Sequence, residues 1–457
     1  MHSIWAVATN TLKQALRMKI ALVFIILLLV LLPAMGYKMT GDGTVKGRLQ
    51  TFVSYGLSLT SLLLCLLTII VSIYTLTTDL KQRQIYTVIT KPIRRWQLLV
   101  GKLLGVILLD VFLLCLFCGL IYAITIYTPK YLESSDDEMA QLRNEFFTAR
   151  ASLSPPEVEV GDEVEKAYVR LKQSGRLDQL YRGLTRKEII ARLTTQRKFA
   201  NRAAGPGRGL LWEFENVKPT DPNQSIFIRF KYDVSVNPPD LQVHSRWSVG
   251  DYRKFRDAQP IKTLFEEYDR SDAIRTFHEI EIPAGVVAED GYLAVGFLNL
   301  PLNNTVVMFP PEDGLEVLYK ADTFGANFVR AALLILMRLI FLAALGVLAS
   351  TFLSFPVAIL FCLVIFLTGT VSGFIIDSFD YLSADVGAVY SFTLKPIIRL
   401  LPEFDKFSPT KFLVPARLLS WPLLAKATLF MVCIKGFLLM IFALIIFSFK
   451  EIAKVIV

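Results

Sequence analysis

The chain is 457 residues long, 53% apolar and of mean hydropathy +0.48, which excludes an ordinary soluble protein of that length. Its net charge of +9 is uneven: Pro129 to Gly325 holds 26 basic and 31 acidic residues, leaving 23 basic against 9 acidic for the flanks. Basic excess interleaved with long apolar runs points to membrane segments held against anionic lipid, and it argues against nucleic-acid binding.

The first element is a basic amphipathic helix, capped by Ser3 and running to about Lys19. Ile4, Val7, Ala8, Thr11, Leu12, Ala15 and Leu16 form its apolar stripe, with Lys13, Arg17 and Lys19 off it. Such a helix lies flat at the cytoplasmic interface. Its basic segment is too long for a signal peptide, and no small-residue cleavage site follows. Two apolar runs come next, Ile20–Tyr37 and Phe52–Leu76, each long enough to cross about 30 Å of hydrocarbon. The connector from Thr77 to Gly105 is basic and partly amphipathic: Ile85, Val88 and Ile89 make an apolar stripe, and Lys81, Arg83, Lys91, Arg94 and Arg95 supply charge. A third run, Leu98–Tyr127, follows.

The charged middle has two characters. Glu133–Ala204 reads as helical, with Thr185 and Glu188 as a capping box and Ser154 and Glu157 as an earlier helix start. Gly205–Gly209 reads as a hinge or linker, and beyond it the apolar period changes to two. Ile226, Ile228, Phe230, Tyr232, Val234 and Val236 alternate with mostly polar residues, and further short strands follow between turn signals. That pattern predicts an antiparallel sandwich, of jelly-roll type.

Three more runs complete the chain, Asn327–Phe352, Pro356–Ile376 and Ala427–Phe449. The positive loops put the first helix, the 77–97 connector and the C-terminal tail inside and the middle domain outside. The 377–426 loop, outside by this count, is itself basic; Phe392, Ile397, Ile398 and Leu401 give it a partial apolar face suited to interfacial helices. The expected fold class is an α-helical polytopic membrane protein of six spans, three on each side of an inserted α+β extracytoplasmic domain that contains a jelly-roll-like β-sandwich. Its boundaries are an interfacial helix at 1–19, spans one to three at 20–128, a helical region and linker at 129–209 and the sandwich at 210–325. Spans four and five occupy 326–376, the loop 377–426, and span six with the tail 427–457.

The connector resembles the corresponding loop of type-2 ABC exporter permeases. In that family an acidic residue and a basic pair precede a short helix, then a Pro-x-x-Arg turn and a Gly-Lys at the next span. Here these are Asp79, Lys81, Arg83, Pro92, Arg95, Gly101 and Lys102, with Asp79 where the family more often has glutamate. The flat first helix and Leu400–Phe407 before the last span fit the same family, whereas the large middle domain is an insertion it does not cover. The resemblance implies that the loop is a coupling helix seated in a separate ABC ATPase subunit. It also implies a homo- or heterodimer of permeases in a bacterial cytoplasmic (inner) membrane, with membrane lipid as a further partner. From the charges alone, the loop reads first as an ordinary positive-inside connector with no partner. The alternative function is a membrane-anchored interaction or sensor protein displaying the sandwich without transport.

No P-loop pattern occurs, so ATP binding falls to another chain and no cofactor is expected here. Asp110, Arg338 and Lys435 lie well inside apolar runs and must face the bundle interior or a wet cavity; they read either as polar handles on a translocation path or, for Asp110 with Arg338, as a structural ion pair. Arg330, near the end of its span, is expected to snorkel. The five cysteines all lie in apolar runs, and Cys115 and Cys118 read as small apolar residues one turn apart. His244 and His278 lack a cluster of ligand spacing, so no metal is expected, and no nucleophile–base pair marks a catalytic site. The basic stretch Arg176–Arg208 suits either anionic head groups or a solvated face paired with Glu157–Glu165.

Overall fold

The structure, a computed structural model, describes residues 2–38, 41, 43–81, 94–131, 135–156, 159–181, 185–218, 224–253, 265–311, 313–380, 393, 396 and 401–449. It divides into a helical membrane unit, Met1–Ala149 with Thr323–Val457, and a β-rich unit, Arg150–Asp322. Six helices are long and apolar enough to span a bilayer.

The membrane unit begins with α1 (His2–Leu16), α2 (Lys19–Tyr37), α3 (Val45–Lys81), α4 (Arg95–Tyr131) and the short α5 (Asp136–Glu145). Helix α1 starts at His2, so Ser3 lies inside it and does not cap it. Its predicted stripe is real at Ala8, Thr11 and Ala15, all fully buried, while Leu16 stays 43% exposed. Both α3 and α4 outrun their apolar windows. The i→i−4 ladder continues through Val45–Gln50 and Thr77–Lys81, because nothing in those segments breaks it. Asp79 therefore stands on the last turn of α3 rather than in a loop.

The β-rich unit holds β1 (Thr148–Leu153), which starts just before the unit boundary, then α6 (Gly161–Gln173), α7 (Leu177–Leu180) and α8 (Arg186–Ala200). Ten strands follow: β2 (Ala203–Ala204), β3 (Gly209–Phe214), β4 (Ile226–Phe230), β5 (Asp233–Val234), β6 (Gln242–Gly250), β7 (Glu266–Ala273), β8 (His278–Ile282), β9 (Leu293–Asn299), β10 (Val307–Met308) and β11 (Leu315–Thr323). Two four-stranded sheets run β1-β11-β4-β8 and β3-β9-β6-β7, with a small β2-β10-β5 sheet beside them. Counting only the eight strands of the two large sheets in chain order gives 1-8-3-6 and 2-7-4-5, the strand order of a jelly roll. The two inner faces share one core, where Trp247 is fully buried, 4.4 Å from the ring of Phe230 and 5.0 Å from that of Phe297. Its indole N–H donates to Ser245 Oγ at 3.1 Å, so the large ring is buried without an orphaned donor.

Three sequence expectations change here. Residues 148–153 form the first strand of the roll, inside the stretch read as helical, and Ser154 follows that strand; the next helix starts at Gly161. Gly205–Gly209 is a pinned turn instead of a linker: Gly207 adopts φ +71° and donates its N–H to Asn299 O at 2.8 Å. Val236, placed on the apolar stripe, is 68% exposed because β5 ends at Val234. The Thr185 capping box forms as expected, with Thr185 Oγ1 accepting from Glu188 N–H and Glu188 Oε2 accepting from Thr185 N–H.

The chain returns to the membrane unit in α9 (Phe324–Phe352) and α10 (Phe355–Asp380). After α11 (Thr410–Leu413), a last helix runs from Trp421 to Phe449: α12 (Trp421–Ala427), a π-helical stretch Thr428–Gly436 and α13 (Phe437–Phe449). Burial separates centre from periphery. Of the apolar windows, 67% is buried in α3 and 61% in α9, against 17% in α2 and in the last helix. The bundle is thus built around α3 and α9, which approach closely because Gly346 leaves room for Ser72. The 401–420 segment folds into the bundle. Phe404 is fully buried and its N–H donates to Gly369 O, while Asn327 accepts from Leu419 N–H and donates to Arg417 O. Irregular backbone survives at such a place because its polar groups are satisfied by protein.

Candidate functional site

Three charged side chains inside the bundle define the site, and each is held by the same helix. On α3, Ser61, Thr68, Ser72 and Thr75 are spaced by 7, 4 and 3 residues, which at 3.6 residues per turn puts them on one face. All four are buried. Ser61 Oγ accepts from Arg338 Nη1 at 3.4 Å, Thr68 Oγ1 donates to Asp110 Oδ1 at 2.7 Å, and Thr75 O accepts from Lys102 Nζ at 3.0 Å. Ser61, Thr68 and Thr75 are seven residues apart, so the three charges sit at levels roughly 10 Å apart along α3.

That spacing decides against the Asp110–Arg338 ion pair. Asp110 is fully buried, gives one carboxylate oxygen to Thr68, and its Oδ2 finds no partner among the described residues. Arg338 turns instead to Phe404 O at 2.9 Å and lies over the Phe404 ring, 5.1 Å from its centroid. Lys435, on the π-helical stretch, donates to Leu401 O at 2.7 Å. Arg330 does not snorkel: it is 8% exposed and packs 4.9 Å from the Trp421 ring.

The lowest level is the most tightly built. Lys102 Nζ lies 2.6 Å from Asp79 Oδ2, 3.0 Å from Thr75 O and 3.4 Å from Gln14 Oε1, and its side chain is 2% exposed. One ammonium thereby ties α1, α3 and α4 together. The approach of α1 to α4 depends on glycine: a Cβ on Gly101 would lie 2.7 Å from Val7 Cβ, and one on Gly105 would lie 2.6 Å from Thr11 Cβ. Arg95, at the start of α4, donates from Nη1 to Phe447 O at 3.1 Å and Ser448 O at 2.5 Å, carbonyls in the last described turn of the last helix. Arg94 N–H donates to Gln97 Oε1 at 3.0 Å and its side chain stays exposed. Both ends of the 82–93 connector are therefore anchored to several helices at once. Arg83, Ile85, Val88, Ile89, Lys91 and Pro92 lie outside the described residues, as does the side chain of Lys81. Phe392, Ile397 and Ile398 are outside them too.

Gln14, Ser61, Thr68, Thr75 and Phe404 were not singled out from sequence. The available signal was the alignment of Ser61, Thr68, Ser72 and Thr75 on one face of α3, since hydroxyls within an apolar span ask for partners. In the β-rich unit, Arg186 meets Glu165 at 2.7 Å and Arg197 approaches Glu163 at 3.9 Å, which is the paired-face reading of the basic stretch. His278 Nε2 bonds within its own turn, to Thr276 Oγ1 and Ala273 O, and no cluster suited to a metal occurs among the described residues.

Six apolar helices, buried polar levels along the central one and a connector anchored at both ends define a multi-pass membrane protein. Residues 5–147, the first third of the chain, match the family model described as ABC-2 family transporter protein. The matched segment contains most of α1 and Asp79, Arg95, Gly101, Lys102 and Asp110. No curated protein and no solved structure matches the chain.

Proposed function

We propose that this chain is the permease subunit of an ATP-driven exporter, coupling ATP hydrolysis by a separate ABC ATPase subunit to movement of a substrate across the membrane. The observation that carries the reading is the anchoring of the 82–93 connector. Asp79 on its entering side is bound to Lys102, and Arg95 on its leaving side is bound to the end of the last helix. A push on such a connector is delivered to α1, α3, α4 and the last helix together, which is what a rigid-body change of state in the bundle needs. In this reading the 82–93 connector lies on the cytosolic side, with Lys81, Arg83, Lys91 and Arg94 toward acidic groups of the ATPase and Ile85, Val88 and Ile89 in its groove. The jelly-roll unit then stands on the opposite side of a bacterial inner membrane, two permeases pair, and the chain holds no cofactor of its own.

The test is reconstitution with a candidate ABC ATPase, sought first in an adjacent reading frame that carries Walker motifs. Arg95→Ala and Pro92→Ala are expected to leave assembly intact and to lower substrate-stimulated ATP turnover by about tenfold, the effect of about 1.4 kcal/mol of lost coupling. Unchanged turnover in both variants, or labelling of cysteines placed at 81–96 only from the far side of the bilayer, would refute the coupling role. A chain that never assembles with an ATPase would instead be the membrane-anchored interaction or sensor protein.

A further inference from the structure

The uppermost polar level encloses a cavity of about 210 Å³ between α3, α9, α10 and the 404–410 segment, lined among others by Ser58, Ser61, Arg338, Thr370, Asp405 and Ser408. Its chemistry is unbalanced. Arg338 carries five N–H donors, and its contacts are one hydroxyl at 3.4 Å and one backbone carbonyl at 2.9 Å. No carboxylate lies within ion-pair distance of it among the described residues. Asp405, on the same wall, is bound to Lys411 at 2.9 Å. The lining thus carries one cation, Arg338, and one anion, Asp405, and Lys411, from outside the lining, already matches that anion, so among the described residues the guanidinium is the charge left without a carboxylate partner. Thr370 donates its hydroxyl to Phe366 O, so it offers the cavity acceptor capacity, whereas Ser408 Oγ lies 3.1 Å from Thr410 Oγ1 and keeps its own proton for a guest when Thr410 donates, and Ser58 lines the cavity with its hydroxyl.

We propose that this cavity is a binding site for the phosphate-bearing anionic head group of an amphiphile, with the Arg338 guanidinium as its counter-ion and the Ser58 and Ser408 hydroxyls as further donors. A guanidinium forks onto phosphate oxygens with paired N–H donors, and here it presents the unused ones to the cavity. The volume suits a head group and not a whole lipid. The rim is apolar and open, with Leu62 44% exposed beside Ser58 on α3, so a hydrocarbon tail attached to the head group stays outside against the helix surface. The lower levels offer no equivalent: Lys102 is saturated by Asp79, Thr75 and Gln14, and Asp110 would repel an anion. The proposal rests on the permease reading only for its meaning as a substrate or regulatory site; binding itself can be measured without an ATPase.

The experiment uses the purified full-length chain in maltoside detergent, with the thermal midpoint followed during titration. Three probes are compared: dioctanoyl phosphatidylglycerol, dioctanoyl phosphatidylcholine and inorganic phosphate. The phosphatidylglycerol is expected to raise the midpoint saturably and the phosphatidylcholine to do so at least about tenfold less well, because its ammonium offsets the phosphate charge. Arg338→Gln is expected to weaken the phosphatidylglycerol response by about tenfold or more, and Arg338→Lys by less, since the charge stays while the fork is lost. Ser58→Phe fills the cavity from its rim without touching the bonds of Arg338, and it should abolish the response in a chain that still melts cooperatively. Inorganic phosphate acting as well as the lipid would keep the anion site and assign it to a soluble guest. A response unchanged in both Arg338→Gln and Ser58→Phe, or no response to either anionic probe, overturns the proposal. Loss of binding in these variants with turnover intact, or loss of turnover in Arg95→Ala with binding intact, separates this site from the coupling role.

Discussion

Lys102 is a cation held away from solvent by a carboxylate, a carbonyl and an amide, and such a group is costly to strand. Lys102→Met leaves Asp79 with nothing opposite it, and Asp79→Leu leaves the ammonium buried alone. Each single change is expected to cost about 3–5 kcal/mol, read as a lowered thermal midpoint, while the double variant recovers most of it because two apolar groups have no charge to desolvate. Equal losses in singles and double would show that the pair contributes only packing. A second residue-scale expectation concerns Tyr232 in the jelly roll, whose hydroxyl is fully buried and donates to Asp272 O at 3.2 Å. Burial first, and the nearby Asp272 charge second, push its phenol above the ordinary tyrosine value. With the folded value above the unfolded one, its contribution to stability is intact below about pH 10 and is lost as the pH rises further. Tyrosinate absorbance and tryptophan emission followed together above pH 10 should report unfolding at the pH where Tyr232 ionises, and Tyr232→Phe should flatten that alkaline slope.

At the scale of elements, the crossing of α1 over α4 rests on two glycines one helical turn apart. A leucine at Gly105 would place its Cβ 2.6 Å from Thr11 Cβ and 2.7 Å from Ala8 O, contacts that neither helix can absorb without separating. Gly105→Leu is expected to release α1, seen as faster proteolysis of the first 16 residues while α3 and α9 stay protected. Protection of α1 equal to the parent chain would show that the crossing tolerates a side chain. The apolar runs of all six spans were legible in the sequence, because about 20 consecutive apolar residues have few other places to go. Their ends were not. In α3 the helix continues through Thr77–Lys81, where hydropathy has already fallen but backbone hydrogen bonding has not. The strand β1 was hidden for the opposite reason: Thr-Ala-Arg-Ala-Ser-Leu has little intrinsic preference for a strand and adopts one because β11 lies beside it.

At the scale of the molecule, the two units have separate cores, one built on α3 and α9 and the other on Trp247 and its aromatic neighbours. Trp247→Ala is expected to cost the β-rich unit about 3–5 kcal/mol and to leave the helical unit unaffected. Differential scanning calorimetry with circular dichroism at strand and helix wavelengths checks this, and a shift in both signals would show that the units unfold as one. The sequence alone determined the membrane class, the six apolar segments, the strand-rich character of the inserted segment and the residues flanking the connector, since each depends on composition or short-range period, whereas the jelly-roll order of the strands came from their tertiary pairing. Only the tertiary structure decided what the buried charges do. Asp110, Arg338 and Lys102 look interchangeable as lone charges in apolar runs. Their partners are set by where helices from distant parts of the chain meet the hydroxyl face of α3, and their depths along it, about 10 Å apart, keep Asp110 and Arg338 from pairing.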